Sequence, residues 1–82
     1  MKTTRYFDEQ VRRKRSYLRD EWIERALADP AQRVDQGDGR IRFWTRVEHD
    51  ASRTYMLLVV TLEDGETVHN AFFDRDYKEA DE

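Results

Sequence analysis

The sequence predicts an α+β domain in which two short N-terminal helices pack on one face of an antiparallel sheet of three or four strands. Apolar residues recur at helical spacing before Pro30. Apolar or alternating runs, typical of strands, follow Gly39. Residues 36–39, Gln-Gly-Asp-Gly, form a turn that separates the helical part from the main strands.

Length and composition predict one small domain, residues 1–82, with an ordered core over about 5–78 and an acidic tail at 79–82. Aromatic residues make up 12%, too many for a disordered chain. The absence of cysteine excludes disulfides and thiolate metal sites. No apolar run approaches the ~18 residues of a membrane span, and the N-terminus lacks a signal-peptide core. We therefore expect a cytoplasmic protein without cofactor or metal.

The first helix is predicted over residues 8–18. Phe7, Val11 and Leu18 form a narrow apolar stripe, and the opposite face is basic. The basic run is Arg12, Arg13, Lys14 and Arg15. Such a run can contact nucleic acid, but it is more often a solvated helix face.

The second helix is predicted to begin at Asp20 as N-cap and to end before Pro30, which disfavours helical geometry in the preceding residue. One of its faces is apolar, formed by Trp22, Ile23, Ala26 and Leu27. This face supplies the apolar surface that a neighbouring sheet can bury.

Three strands follow, and residues near Val34 can add a fourth at the sheet edge. Residues 40–48 alternate in polarity, whereas residues 56–60 are apolar at every position. Asp64-Gly65 is a strong hairpin signal before the last strand, residues 69–74.

Loop lengths predict the strand register. A five-residue loop at 49–53 pairs Phe43 with Val59, and a two-residue loop at Asp64-Gly65 pairs Leu57 with Phe72. The face toward the helices would then contain Ile41, Phe43, Val47, Tyr55, Leu57, Val59, Val68 and Phe72. The other face would contain Arg42, Trp44, Arg46, Met56, Leu58, Val60, His69, Ala71 and Phe73. A four-residue first loop would exchange the two faces.

Charge is polarised along the chain. The net charge is −3 overall, with 11 Lys/Arg against 8 Asp/Glu in residues 1–42 and 4 against 10 in residues 43–82. Since local potential steers a polyanion, this polarity leaves nucleic-acid binding open.

Several short strings suggest a family. They are Ala28-Asp29-Pro30, Gly39-Arg40-Ile41-Arg42-Phe43-Trp44, Gly65-Glu66-Thr67-Val68 and Asn70-Ala71-Phe72-Phe73-Asp74-Arg75. In this order, over residues 5–78, they resemble a group of small bacterial proteins of unknown function whose domain is often found beside toxin–antitoxin genes. The group is similar in layout to the BrnT toxins and, more distantly, to the RelE/ParE superfamily.

That resemblance implies an open sheet face and C-terminal end that carry RNA-cutting residues and that an antitoxin covers. The leading catalytic candidates are His69 and Arg75. The matching binding residues are Arg42, Arg46, Tyr77 and Lys78. RelE-like ribonucleases are generally basic, whereas this chain is acidic, and its acidic residues crowd the C-terminal end.

Each candidate has a structural alternative. His69 can simply pack against Val60, and Arg75 can pair with a neighbouring aspartate. Trp44 between arginines can stack on unpaired bases, form a protein–protein contact or lie half-buried on the sheet. No phosphate loop or nucleophile motif is present.

The preferred interpretation is a protein-interaction module related to toxin–antitoxin components, with an antitoxin-like partner or a second copy of itself. The first alternative is a metal-independent ribonuclease of RelE/BrnT type that acts on RNA. The second is a structural homodimer that buries two open faces against each other.

Overall fold

The computed structural model describes residues 1–35, 37–50 and 53–77, without the side chains of residues 49 and 50. It contains two short helices followed by a four-stranded antiparallel sheet in the order β1-β2-β3-β4. The predicted α+β class is confirmed. The strands are β1, Gln32–Asp35; β2, Arg40–Asp50; β3, Arg53–Leu62; and β4, Val68–Phe73. The predicted edge strand near Val34 is β1. The predicted tail, residues 79–82, lies outside the described residues.

Helix α1 is shorter than predicted. It has a π-helical stretch, Phe7–Val11, and one further turn, Arg12–Lys14. Arg15 leaves helical geometry with φ −121° and ψ 60°, so the predicted end at Leu18 is wrong. The Leu18 amide then bonds to the Arg15 carbonyl at 3.0 Å, and the turn still delivers Leu18 to the core.

Helix α2 is Asp20–Ala28, and it ends before Pro30 as predicted. The predicted N-cap is displaced by one residue, because Arg19 holds the extended capping conformation and Asp20 is already helical. The Asp20 carboxylate instead accepts a hydrogen bond from Arg12 at 2.7 Å, which ties the start of α2 to α1.

The core lies between the helices and one face of the sheet. The helices contribute Phe7, Val11, Trp22, Ile23 and Ala26, the turn between them contributes Leu18, and the strands contribute Ile41, Phe43, Val47, Leu57, Val59, Val68 and Ala71. Phe7, Ile23, Leu57, Val59 and Val68 are fully buried. We call this side of the sheet the covered face.

The register of β2 with β3 is the predicted one. Phe43 pairs with Val59, Trp44 with Leu58 and Glu48 with Thr54. Beyond Glu48 the strands continue through an irregularity to an Asp50–Arg53 pair, so the predicted loop is shorter than five residues.

The register of β3 with β4 changes along the strand. Thr61 pairs with Val68, as the predicted turn requires, but Val60 pairs with Asn70 and Leu57 with Phe73. The predicted pairs Val60–His69 and Leu57–Phe72 are therefore wrong. The reason is a β-bulge, in which β4 carries an extra residue at His69. Beyond the bulge each β4 side chain moves to the opposite face from the predicted one.

The turn between β3 and β4 is wider than a two-residue loop. The Asp64 carboxylate accepts the amide N–H groups of Glu66 and Thr67, both at 2.9 Å, and the Thr67 hydroxyl at 2.6 Å. Because Asp64 takes these donors, the ladder ends at the bond from the Leu62 amide to the Thr67 carbonyl. Gly65 holds φ +69°, which favours glycine.

Backbone hydrogen bonds cover part of the β4 edge and part of the edge of β2 that β1 leaves exposed. At the β4 edge, the Val68 amide bonds to the Lys2 carbonyl and the Thr4 amide to the Val68 carbonyl. At the other edge, β1 pairs with β2 only from Ile41 to Trp44. Beyond that point the Arg25 guanidinium donates to the Arg46 carbonyl at 2.5 Å. No helix in the described part of the chain is long and apolar enough to cross a membrane.

Candidate functional site

The sheet face opposite the helices is the candidate functional site. On β2, Ile41, Phe43 and Val47 are buried on the covered face, so the alternation of the strand places Arg42, Trp44 and Arg46 on the other side. The predicted direction of these three side chains is thus consistent with the burial pattern. We call this side the open face, and its members are Arg42, Trp44, Arg46, Met56, Leu58, Val60, Asn70 and Phe72.

A row of large apolar side chains crosses the centre of the open face. Leu58 of β3 pairs with Trp44 on one side and with Phe72 on the other. Leu58 is only 6% exposed, although it is not part of the core beneath the helices. Trp44 and Phe72 are half-buried. The row is therefore a second, smaller apolar cluster with part of its surface in solvent.

Arginines border this row. Arg42 pairs with Asp38 at 3.2 Å, and its other terminal nitrogen, Nη1, is buried without a hydrogen-bond partner among the described residues. The Arg40 amide holds the pKa of Asp38 below its usual value, and the Arg42 side chain lowers that pKa further. Arg46 is exposed beside Met56.

Arg15 is a third arginine at the border, reaching it from the end of α1. Its guanidinium carbon lies 5.8 Å from the centre of the Phe72 ring, within the range of a cation–π contact. Its Nη1 is 3.5 Å from Asn70 Oδ1. Arg15 is half-buried, so the basic run on α1 contributes one member to the open face.

Trp44 is held by the residues that follow β4. The indole Nε1 donates a hydrogen bond to Asp74 Oδ2 at 2.9 Å. The Tyr77 ring lies 5.6 Å from the Trp44 ring between centroids, tilted by 36°. Of the predicted binding residues, Arg42, Trp44, Arg46 and Tyr77 therefore gather at the open face. Lys78 lies outside the described residues.

His69 occupies a different place, at the edge of the sheet beside the N-terminal segment. Its Nδ1 is 3.1 Å from the Thr4 hydroxyl oxygen, and its ring lies 4.9 Å from that of Tyr6. Burial lowers the pKa of His69 below its ordinary value of 6.5, and the positive charge of Arg40 lowers it further. These causes favour the neutral imidazole at neutral pH.

Arg75 lies beyond the far end of β4. It lines a cleft of about 220 Å³ with Tyr17, Tyr55 and Phe73. Because strand residues rise about 3.3 Å each, the path from His69 to Phe73 alone spans roughly 13 Å. The structure therefore does not bring the two predicted catalytic residues together.

Sequence reasoning missed three members of the site: Arg15, Phe72 and Asp74. Arg15 was assigned to a solvated helix face, since its departure from the helix has no clear sequence signal. Phe72 was assigned to the covered face because the bulge at His69, which reverses the facing of Phe72, has no clear sequence signal either. Asp74 was assigned to the end of the last strand and considered only as a partner for Arg75, because no sequence pattern links it to Trp44.

Comparison of the chain with protein-family models, with curated proteins and with solved structures finds no significant match.

Proposed function

We propose that this chain is a small protein-interaction module whose working surface is the open face. The single observation that carries the proposal is the Trp44–Leu58–Phe72 row, which no helix of the described residues covers and which Arg15, Arg42 and Arg46 border. Aromatic residues and arginines around a desolvated centre are typical of energetically dominant protein contacts.

The electrostatics of the open face favour a protein partner over RNA. RNA binding draws on cations that neutralise phosphates, but Arg42 already pairs with Asp38. The Trp44 indole is bonded to the carboxylate of Asp74, and the chain has a net charge of −3. An apolar centre with partly neutralised arginines suits a protein surface better than a phosphate backbone.

The toxin–antitoxin relationship is part of the same proposal. The helices-then-sheet layout supports it, because an antitoxin-like partner would cover the open face in the layout that the chain resembles. In this interpretation the protein acts in the bacterial cytoplasm and its partner is a separate small protein.

The test is a capture experiment with cross-linking in lysate, using the wild type, Trp44→Ala and the control variant Arg13→Ala. Arg13 is exposed on α1, away from the open face. We expect Trp44→Ala to fold, as judged by circular dichroism, and to lose one specific partner that Arg13→Ala retains. An identical set of captured proteins for all three would contradict the proposal.

Two further measurements distinguish the alternatives. Growth arrest on expression, with RNA cleavage that His69→Ala and Arg75→Ala abolish, would replace the module with the RNA-cleaving toxin. A sedimentation mass twice that of the monomer, which Trp44→Arg halves, would replace it with the structural homodimer. We expect a monomer that leaves RNA intact at high protein concentration.

A further inference from the structure

The residues after β4 form a turn, residues 74–77, that lies against the indole of Trp44; we call it the C-terminal turn. Three interactions hold it. The Asp74 amide bonds to the Met56 carbonyl at 2.8 Å, the Asp74 carboxylate accepts the Trp44 indole N–H, and the Tyr77 ring packs on the indole. The other carboxylate oxygen of Asp74 accepts the Asp76 amide at 3.0 Å, which closes the turn.

The chemistry of this contact is that of peptide recognition. A carboxylate satisfies the only polar atom of the indole, and an aromatic ring three residues later covers part of its apolar surface. Within the turn, two aspartates, Asp74 and Asp76, stand against one arginine, Arg75. On the neighbouring side of the open face, Arg46 is exposed, whereas the charge of Arg42 is already shared with Asp38. Charge complementarity therefore favours an acidic segment at this position.

We infer that the partner of the open face is an acidic peptide segment with a carboxylate three residues before an aromatic ring. The C-terminal turn is an internal occupant of the same position. This inference rests on the proposed function. It adds the chemical class of the partner and identifies the C-terminal turn as the segment that competes with the partner for Trp44. A segment tethered to its own site has an effective concentration on the order of millimolar. A partner must therefore displace the C-terminal turn before it can contact Trp44.

The experiment uses the full-length chain and a synthetic peptide of residues 73–82. The two proteins compared are the wild type and the double variant Asp74→Ala/Tyr77→Ala, which removes both side chains from Trp44. Binding is followed by nuclear magnetic resonance through the two indole N–H signals of the chain, and Trp44→Phe assigns the signal of Trp44. Trp22 is buried in the core and serves as the internal reference.

We expect the peptide to shift the Trp44 signal of the double variant and to bind it about tenfold or more tightly than the wild type. The control protein is Asp76→Ala, whose side chain is exposed, and it should behave as the wild type does. The control peptide has alanine in place of Asp74 and Tyr77, and it should leave both proteins unchanged.

Three outcomes would overturn the inference. The first is no binding to a double variant whose other amide signals show it folded. The second is equal binding to both proteins, because the peptide would then lie away from the Trp44 contact. The third is a concentration-dependent doubling of mass that the double variant abolishes, because the occupant would then be a second copy. If Trp44→Ala still loses its captured partner, the proposed function stands although this inference fails.

Discussion

The two faces of the sheet are built from the same strands but differ in how they are closed. On the covered face, Phe43 is 3% exposed, and the two helices with the turn between them contribute six buried side chains to the core that contains it. On the open face, the next residue, Trp44, is half-buried, and its indole contacts Asp74 and Tyr77 of the C-terminal turn. The comparison shows that one face is closed by a layer of secondary structure and the other by a short turn and a few side chains.

This difference assigns separate tasks to the two faces. A closed face stabilises the fold by apolar burial, roughly 25 cal/mol for each Å² removed from water. A face closed by one turn can be exposed again at a much smaller cost in free energy. The covered face therefore sets most of the stability of the domain, and the exchange of occupants that we propose concerns the open face.

The largest expected effect compares Phe43→Ala with Trp44→Ala. Phe43→Ala should lower the free energy of unfolding by about 3–5 kcal/mol, because the helices cannot collapse into the cavity. Trp44→Ala should cost only about 1–2 kcal/mol, since half-buried side chains lose less buried area. Urea unfolding measures both. Equal costs would break the comparison, because the open face would then be a second core.

A smaller effect is expected at the border of the open face. Arg15→Ala should lower the free energy of unfolding by about 0.5–1 kcal/mol, through loss of the contact with the Phe72 ring. Arg13→Ala is the matched control from the same basic run, because Arg13 is exposed, and it should be neutral. If both changes are neutral in urea unfolding, Arg15 is not part of the apolar cluster.

The next prediction concerns the β3–β4 turn, because the hydrogen bonds of Asp64 in this turn fix where the pairing of β3 with β4 begins. The Thr67 hydroxyl, followed by the Thr67 and Glu66 amides, lowers the pKa of Asp64 from 3.8 to about 2. The contribution of Asp64 to stability is therefore present above pH 3.8 and is lost as the pH falls toward 2. The wild type should be more stable than Asp64→Asn at neutral pH, and their difference should shrink in acid. A constant difference would contradict the assignment.

The smallest expected effect is the pH dependence of stability that arises from His69, the extra residue in the β4 bulge. Since the pKa of His69 is lowered below 6.5, the unfolded chain binds more protons than the folded one just below that pH. Stability should therefore decline as the pH falls below about 7 and level off below the folded pKa. His69→Asn should remove this component of the slope and leave any contribution of His49. An unchanged slope would show that His69 is solvated.

The sequence predicted the faces of β2 well and those of β4 poorly, for identifiable reasons. Arg42, Trp44 and Arg46 alternate with buried apolar residues, and period-two alternation states the face directly. In β4, residues 71–73 are all apolar, so no alternation of polarity shows which side chains face the helices. Their facing must be worked out from the strand register. That register changed at His69, where neither glycine nor proline announces a bulge.

The C-terminal turn was beyond sequence reasoning for a different reason. Its contacts join residues about thirty positions apart, from Trp44 to Asp74, without any periodic pattern between them. Tyr77 was identified as a binding residue from a resemblance, and its actual neighbour is the chain's own tryptophan. Long-range pairing of single polar groups depends on where the backbone has already been placed.

The hydrogen bond from Arg25 to the Arg46 carbonyl has a consequence for behaviour at high concentration. Among the described residues, no strand pairs with the outer side of β2 beyond Trp44, and such rows of unpaired backbone groups can pair with strands from other molecules. The guanidinium of Arg25 on α2 donates to one of these backbone carbonyls, that of Arg46, and places a positive charge at this edge of the sheet. The helix that fills the interior thus also discourages fibril-like stacking of one molecule onto the next.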